Sequence, residues 1–284
     1  MTILITGATG FLGRRAAVYF SSLGYDVLTP SHSQLDITDK TAVDNWFRKN
    51  CPQAVIHCAA VSDTGKCQQD PESTALINVQ GSVHLAEACA QIDSKFVFCS
   101  SDQVYAGSPL PGPHRESEPL HPGNVYACQK ILAEQRCSAL CPNTVCLRLS
   151  WMYTGQFLPE EHGHLLLTLA KALQSESTPL SWPVYDHRGI TDVDSVVRQL
   201  PRALELPAGV YNFGSENNQT TYHTLKSVFE SLGLEEAQNR LTANVQAFSD
   251  APRDIRMDCS LAASYGIHFE STQTGLCSAL IKIL

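Results

Sequence analysis

Glycines at positions 7, 10 and 13 constrain this chain more than any other feature. They follow a short apolar run, Ile3 to Ile5, and open an apolar-periodic stretch, Phe11–Leu23. A strand, a glycine turn and a helix in that order begin a nucleotide-binding βαβ unit. Glycine is required there because the chain turns tightly, the backbone approaches a pyrophosphate closely, and the helix packs hard on the strand. The helix N-terminus then offers free N–H groups and a positive dipole end to phosphate.

Downstream, Tyr126-Ala127-Cys128-Gln129-Lys130 places a phenol and an ammonium one helical turn apart on the same face. An ammonium beside a phenol favours the phenolate, so Lys130 is expected to lower the pKa of Tyr126 and let it exchange protons near neutral pH. A buried strand, Phe96 to Cys99, runs into Ser100-Ser101. Hydroxyls at the carboxyl end of a strand face the ligand crevice of an open α/β sheet.

These residues together resemble the extended short-chain dehydrogenase/reductase family, firmly to about residue 150 and more loosely beyond it. Thr6-Gly7-Ala8-Thr9-Gly10-Phe11-Leu12-Gly13 carries the resemblance, with the Ser101, Tyr126 and Lys130 set and Asn78-Val79-Gln80-Gly81. It implies an α/β fold: a Rossmann-type doubly wound parallel sheet with a small C-terminal substrate-binding domain. Residues 1–150 would be the NAD(P)-binding part and 151–284 mostly the substrate part. The two interleave, because a strand at Gly209–Phe213 is expected to return to the sheet, completing it within about 190–215.

The resemblance also assigns roles. Ser101 would hydrogen-bond a substrate carbonyl, Tyr126 would donate the proton, and Lys130 would hold the nicotinamide ribose. Gly7, Thr9, Gly10, Phe11, Leu12, Gly13, Arg14, Asp36, Ile37, Ala59, Ala60 and Asn78 would contact or support the cofactor. NADP(H) is the preferred cofactor and NAD(H) the alternative. The second strand ends in Thr29-Pro30-Ser31-His32, with no carboxylate for a ribose 2′-hydroxyl. Arg14 stands where its guanidinium fork would meet a 2′-phosphate.

Ser100-Ser101-Asp102-Gln103-Val104-Tyr105 is most similar to the dTDP-4-dehydrorhamnose reductase branch. Gln103 cannot act as a general acid or base, which disfavours dehydration. The segment 185–194 departs from that branch: its proline–threonine pair is missing, and Arg188, Asp192 and Asp194 are closer to the pattern of general extended members of the family. Val61 and Gly65 also depart, and all these changes fall on the substrate side. The expected reaction is reduction of a carbonyl, the 4-keto group of a nucleotide-activated sugar. Asp102, Trp151, Arg188 and Arg253 are the substrate candidates beside Ser101, and Tyr153 is a further pocket candidate. Two alternatives stay open: an epimerase of the same fold, and a non-catalytic NADP-binding regulatory subunit, since the regulatory β subunit of methionine adenosyltransferase resembles the same branch.

A net charge of −8 argues against broad contact with nucleic acid or anionic membranes. No apolar run reaches membrane-spanning length, and the N-terminus reads as a strand without a basic leader. The expected setting is cytoplasmic, with a small-molecule substrate and a homodimeric assembly. Eleven cysteines are scattered; Cys58, Cys89, Cys99 and Cys146 lie in apolar runs and read as reduced core thiols. Cys137, Cys141 and Cys146 lack the spacing of a zinc site, and no metal is expected. His162 and His164 read as solvated loop residues.

Local patterning also predicts a short strand at Leu35–Ile37, one long helix over Glu72–Ile92, and a proline-rich loop, Gly107–Gly123, running near the site.

Overall fold

The computed structural model describes residues 1–156, 165–174 and 180–284. His162 and His164 lie outside the described residues. In chain order the first half comprises β1 (Thr2–Thr6), α1 (Phe11–Ser22), β2 (Asp26–Leu28), α2 (Lys40–Asn50), β3 (Ala54–His57), α3 (Thr64–Gln69), α4 (Pro71–Ala75), a π-helical segment (Leu76–Gly81), α5 (Ser82–Gln91) and β4 (Lys95–Ser101). A 3₁₀ turn (Asp102–Tyr105), α6 (Val125–Leu140), β5 (Thr144–Leu149), β6 (Trp151–Tyr153), α7 (Leu165–Gln174), β7 (Leu180–Pro183), β8 (Asp186–His187) and β9 (Ile190–Asp192) follow. The chain continues through α8 (Val193–Ala203), β10 (Gly209–Phe213), α9 (Thr221–Ser231), α10 (Glu235–Arg240), β11 (Leu241–Asn244), β12 (Arg253–Asp254), α11 (Ser260–Ser264) and α12 (Thr272–Ile281).

Six parallel strands form the main sheet in the order β10-β5-β4-β3-β1-β2. Strand order reverses between β1 and β3, and a crevice opens at the carboxyl ends of strands at such a point. Period-2 alternation distributes the strand residues between two cores. Ile3, Ile5, Ile56, Val97 and Leu147 face Leu12, Ala16 and Phe20 of α1 and Val196, Val197 and Leu200 of α8. Leu4, Val55, Phe96, Phe98 and Cys146 face Val43 and Phe47 of α2, Leu85 and Ala88 of α5, and Ala133 and Cys137 of α6. Burial on both faces is why these strands read as continuous apolar runs. A third core joins α7, α9 and α12 through Leu165, Leu169, Phe229 and Leu276.

Side-chain caps set several helix starts. Asp39 accepts from the Thr41 and Ala42 N–H groups, Asn124 from Ala127, and Asp192 from Ser195. α1 starts differently: its N-cap is Gly10, with no capping side chain and no acidic residue in the first turn.

Three expectations need correction. Leu35–Ile37 is a turn, not a strand. The Asp36 carboxylate accepts from the backbone N–H and hydroxyl of Thr38 at 2.9 and 2.7 Å, closing an Asx turn directly before the Asp39 cap. The helix over Glu72–Ile92 is interrupted by the π-helical segment around Asn78, and Gly81 lies so close to Ile37 that a Cβ there would meet its Cγ1 at 2.7 Å. The loop Gly107–Gly123 does not border the cavity described below. It is pinned to residues 254–258 instead, through buried His114, whose ring nitrogens engage Glu118 and the Asp254 carbonyl and whose ring stacks on Tyr105.

Candidate active site

A cavity of about 710 Å³ lies at the carboxyl ends of β1, β3, β4 and β5. Its floor at one end is the glycine turn. Gly7 has φ +66°, and its carbonyl accepts from the Gly10 N–H at 2.9 Å. A Cβ on Gly7 would meet the Ala59 backbone nitrogen at 2.7 Å, and one on Gly13 would overlap the Gly7 carbonyl. Glycine is therefore fixed at both positions by backbone packing, which brings the open first turn of α1 to the cavity wall. Thr9, Gly10, Phe11, Leu12 and Arg14 line that wall.

Ser101, Tyr126 and Lys130 line the middle of the cavity. Ser101 ends β4 and accepts from the Gln103 N–H at 3.2 Å, while its hydroxyl donates to Asp102 at 3.3 Å. The Asn124 cap starts α6 so that Tyr126 and Lys130 face β4. Lys130 Nζ donates to the Cys99 carbonyl at 2.7 Å and lies 4.6 Å from the Phe98 ring centroid and 5.7 Å from that of Tyr126. Burial lowers the Lys130 pKa. The expectation that Lys130 lowers Tyr126 is not met in this arrangement: burial raises the phenol well above its ordinary value, with only the Ser101 hydroxyl drawing it down. Desolvation of the phenolate outweighs the attraction of an ammonium held by a carbonyl.

Arginines close the far end. Arg188 donates to Asp102 Oδ2 at 2.8 Å, and its guanidinium lies 5.0 Å from the Trp151 ring centroid. Its Nε is buried with no hydrogen-bond partner among the described residues. Arg253 donates to Asp186 at 2.8 Å and lies 4.3 Å from the Phe248 ring centroid.

Thirteen of the residues singled out in the sequence thus share one cavity: Thr9, Gly10, Phe11, Leu12, Arg14, Ala60, Ser101, Asp102, Tyr126, Lys130, Trp151, Arg188 and Arg253. Gly7, Gly13, Asp36, Ile37, Ala59 and Asn78 are not on its wall. Asn78 sits behind it, accepting from the Val61 N–H at 2.8 Å and donating to Gln129 at 2.7 Å, so it ties the chain after β3 to α6. Tyr153 is also off the wall, buried in the core of α7, α9 and α12. Ser31 and His32 are exposed at the end of β2. Sequence reasoning missed Cys58, Ser62, Thr64, Ser150 and Met152, which line the cavity. Position immediately after a β strand is the signal that marks Cys58 and Ser150.

The profile of the RmlD substrate binding domain family matches residues 1–283, and the chain belongs to that family. The structure is a Rossmann-type fold. A dTDP-4-dehydrorhamnose reductase of Mycolicibacterium smegmatis is 34% identical over 153 residues; the match spans 54% of this chain and 46% of the relative, about half its length. The enzyme of that name from Streptomyces griseus is 29% identical over 88% of this chain and 82% of its own. Methionine adenosyltransferase 2 subunit beta of Bos taurus is 25% identical over 93% of this chain and 82% of its own. Among solved structures, dTDP-4-dehydrorhamnose reductase of Bacillus anthracis in complex with NADP superposes with a TM-score of 0.83, at 22% identity, covering 99% of this chain and 98% of that one. UDP-glucose 4-epimerase of Thermus thermophilus in complex with NAD gives 0.79, at 22% identity, covering 100% and 99%.

Proposed function

We propose that this protein is an NADPH-dependent reductase of a carbonyl, the 4-keto group of a nucleotide-activated sugar, able to use NADH as well. The observation that carries the reading is the meeting of Ser101, Tyr126 and Lys130 in the cavity that begins at the glycine turn. The site fits a dinucleotide. The uncapped, acid-free start of α1 suits a pyrophosphate, and the Gly7–Gly13 contact leaves no room for side chains beside it. Arg14, half-buried and donating to the Thr9 carbonyl at 3.1 Å, stands at the rim for a 2′-phosphate.

When bound, NADPH supplies a hydride. The chain supplies the proton and the electrostatics. Burial keeps the Tyr126 phenol protonated, the form that donates to a developing alkoxide. Lys130, on the cavity wall one turn from Tyr126, would hold the nicotinamide ribose. The Ser101 hydroxyl exchanges its long bond to Asp102 for the substrate oxygen and stabilises charge there. Asp102 and Trp151 hold Arg188 in place, and its unpartnered Nε and Arg253 are the proposed diphosphate contacts.

The same reading divides the chain into a cofactor part, residues 1–150 with the strand around 190–215, and a substrate part built on the core of α7, α9 and α12. It places the protein in the cytoplasm as a homodimer, a state to be read by sedimentation. No helix among the described residues is long and apolar enough to cross a membrane.

The test is NADPH oxidation, followed by its absorbance, with a panel of nucleotide 4-keto-sugars beside a cofactor titration. Turnover with one member is the expected result. Tight NADPH binding without turnover would favour a regulatory subunit, and a tightly retained NAD with no net oxidation would favour an epimerase.

A further inference from the structure

Two thiols meet in the cavity. β3 and β4 run in parallel register with His57 opposite Phe98. The next residue on each chain is a cysteine, and the Cys58 and Cys99 sulfurs lie 3.7 Å apart. Both line the cavity wall, and Cys58 is half-buried. Neither thiol is needed by the chemistry described above. Cys89, Cys137, Cys141 and Cys146, in contrast, are sealed in the core on the other face of the sheet.

We propose that Cys58 and Cys99 form a dithiol site in the cavity wall, which a hydroperoxide oxidises to an intramolecular disulfide. Geometry favours the bond. Adjacent strands stand about 4.8 Å apart, within the span of about 4.4–6.8 Å that disulfides bridge between Cα atoms. The sulfurs, already in contact, need only close to about 2.05 Å. Polarity favours Cys99 as the attacking sulfur. The Cys58 hydrogen bond draws the Cys99 thiol down in pKa against the opposing effect of burial, and the Lys130 charge adds to the lowering.

The steps balance. Cys99 thiolate attacks the peroxide, its S–O bond forming as the O–O bond breaks, and hydroxide leaves and takes up a proton as water. The Cys58 sulfur then attacks the sulfenic sulfur: an S–S bond forms, the S–O bond breaks, and a second water leaves. Two thiols are oxidised by two electrons and hydrogen peroxide is reduced by two. The bond pulls on the Cys99 carbonyl, which holds Lys130 Nζ. The site stands apart from the function proposed above; its consequence, loss of turnover, rests on that reading.

The full chain is treated with hydrogen peroxide, quenched with catalase, alkylated, digested and mapped by mass spectrometry. The expected result is a Cys58–Cys99 linked peptide lacking two hydrogens and restored by dithiothreitol. In Cys58→Ser the linked peptide disappears and dimedone traps a sulfenic acid at Cys99. Full alkylation of both thiols after peroxide, with oxidation confined to exposed Cys51 and Cys128, would overturn the proposal. So would over-oxidation of Cys99 in the parent without a linked peptide. Saturating NADP⁺ is expected to slow the cross-link. A linked peptide that forms equally fast with NADP⁺ upholds the dithiol and counts against the dinucleotide reading of the cavity.

Discussion

Glu134→Gln tests the support beneath the site. Glu134 lies one turn after Lys130 on α6 and receives the Arg148 guanidinium through Nη2 at 2.8 Å and Nε at 3.1 Å, with the Ser100 hydroxyl also donating to it. Both charged side chains are at most 5% exposed. Arg148 also donates to the Tyr105 hydroxyl at 2.7 Å, which donates to Asn212 at 2.8 Å. The network therefore joins β4, β5, α6 and β10 directly behind Ser101. Burial alone would lower the Arg148 pKa, but the Glu134 bonds hold it above its ordinary value. The guanidinium still stays charged when its partner is neutralised, because its intrinsic pKa lies far above neutral pH. Breaking one side of a buried pair costs about 3–5 kcal/mol, and a chain of this length loses about 2 °C per kcal/mol, so melting is expected to fall by about 6–10 °C. Circular dichroism on heating reads it. Adding Arg148→Met to Glu134→Gln removes the stranded charge, and most of the loss is expected to return, because Tyr105 keeps Asn212 as acceptor. A single variant melting within about 1 °C of the parent, or a double variant worse than the single, would refute the reasoning.

Other consequences are as direct. Tyr126→Phe is expected to lower kcat by about 10²–10⁴-fold with cofactor affinity kept, read by NADPH oxidation and titration; unchanged kcat would remove Tyr126 as proton donor. Gly7→Ala is expected to yield unstable or insoluble protein, since φ is +66° and the new Cβ would meet the Ala59 nitrogen at 2.7 Å; a variant with parental melting would contradict the packing argument. His57 is buried between Thr6 and Ser82, and burial, assisted by the Lys130 charge, pushes its pKa down to about 3 from 6.5. Between those values the unfolded chain binds more protons, so His57 makes stability fall as pH drops from 6.5 toward 3. His57→Gln is expected to flatten that part of the acid limb in denaturant titrations, and an unchanged slope would assign it to other groups.

Local signals in the sequence determined much of the outcome. The Ile3–Ile5 run, the glycines and the amphipathic Phe11–Leu23 stretch set β1, the turn and α1, because periodicity, capping and glycine conformation act over a few residues. The same signals placed Gly209–Phe213 as a strand and Tyr126 and Lys130 on one helix face. Tertiary structure decided what no local pattern encodes. Leu35–Ile37 became a turn because the Asp36 carboxylate found Thr38 and its apolar neighbours found α2 and α5. The strands β6 to β9, β11 and β12 are two to four residues long and exist through partners distant in the chain. That Asn78 braces Val61 against Gln129 follows from the packing of the chain after β3 on α6. The Cys58–Cys99 contact likewise needs the register of β3 on β4. The sequence by itself set the elements and the chemistry available to them. Which side chains share a cavity, which are screened from water, and how far the Tyr126 phenol is held above its ordinary pKa depend on long-range packing and desolvation, and those exist only once the sheet is assembled.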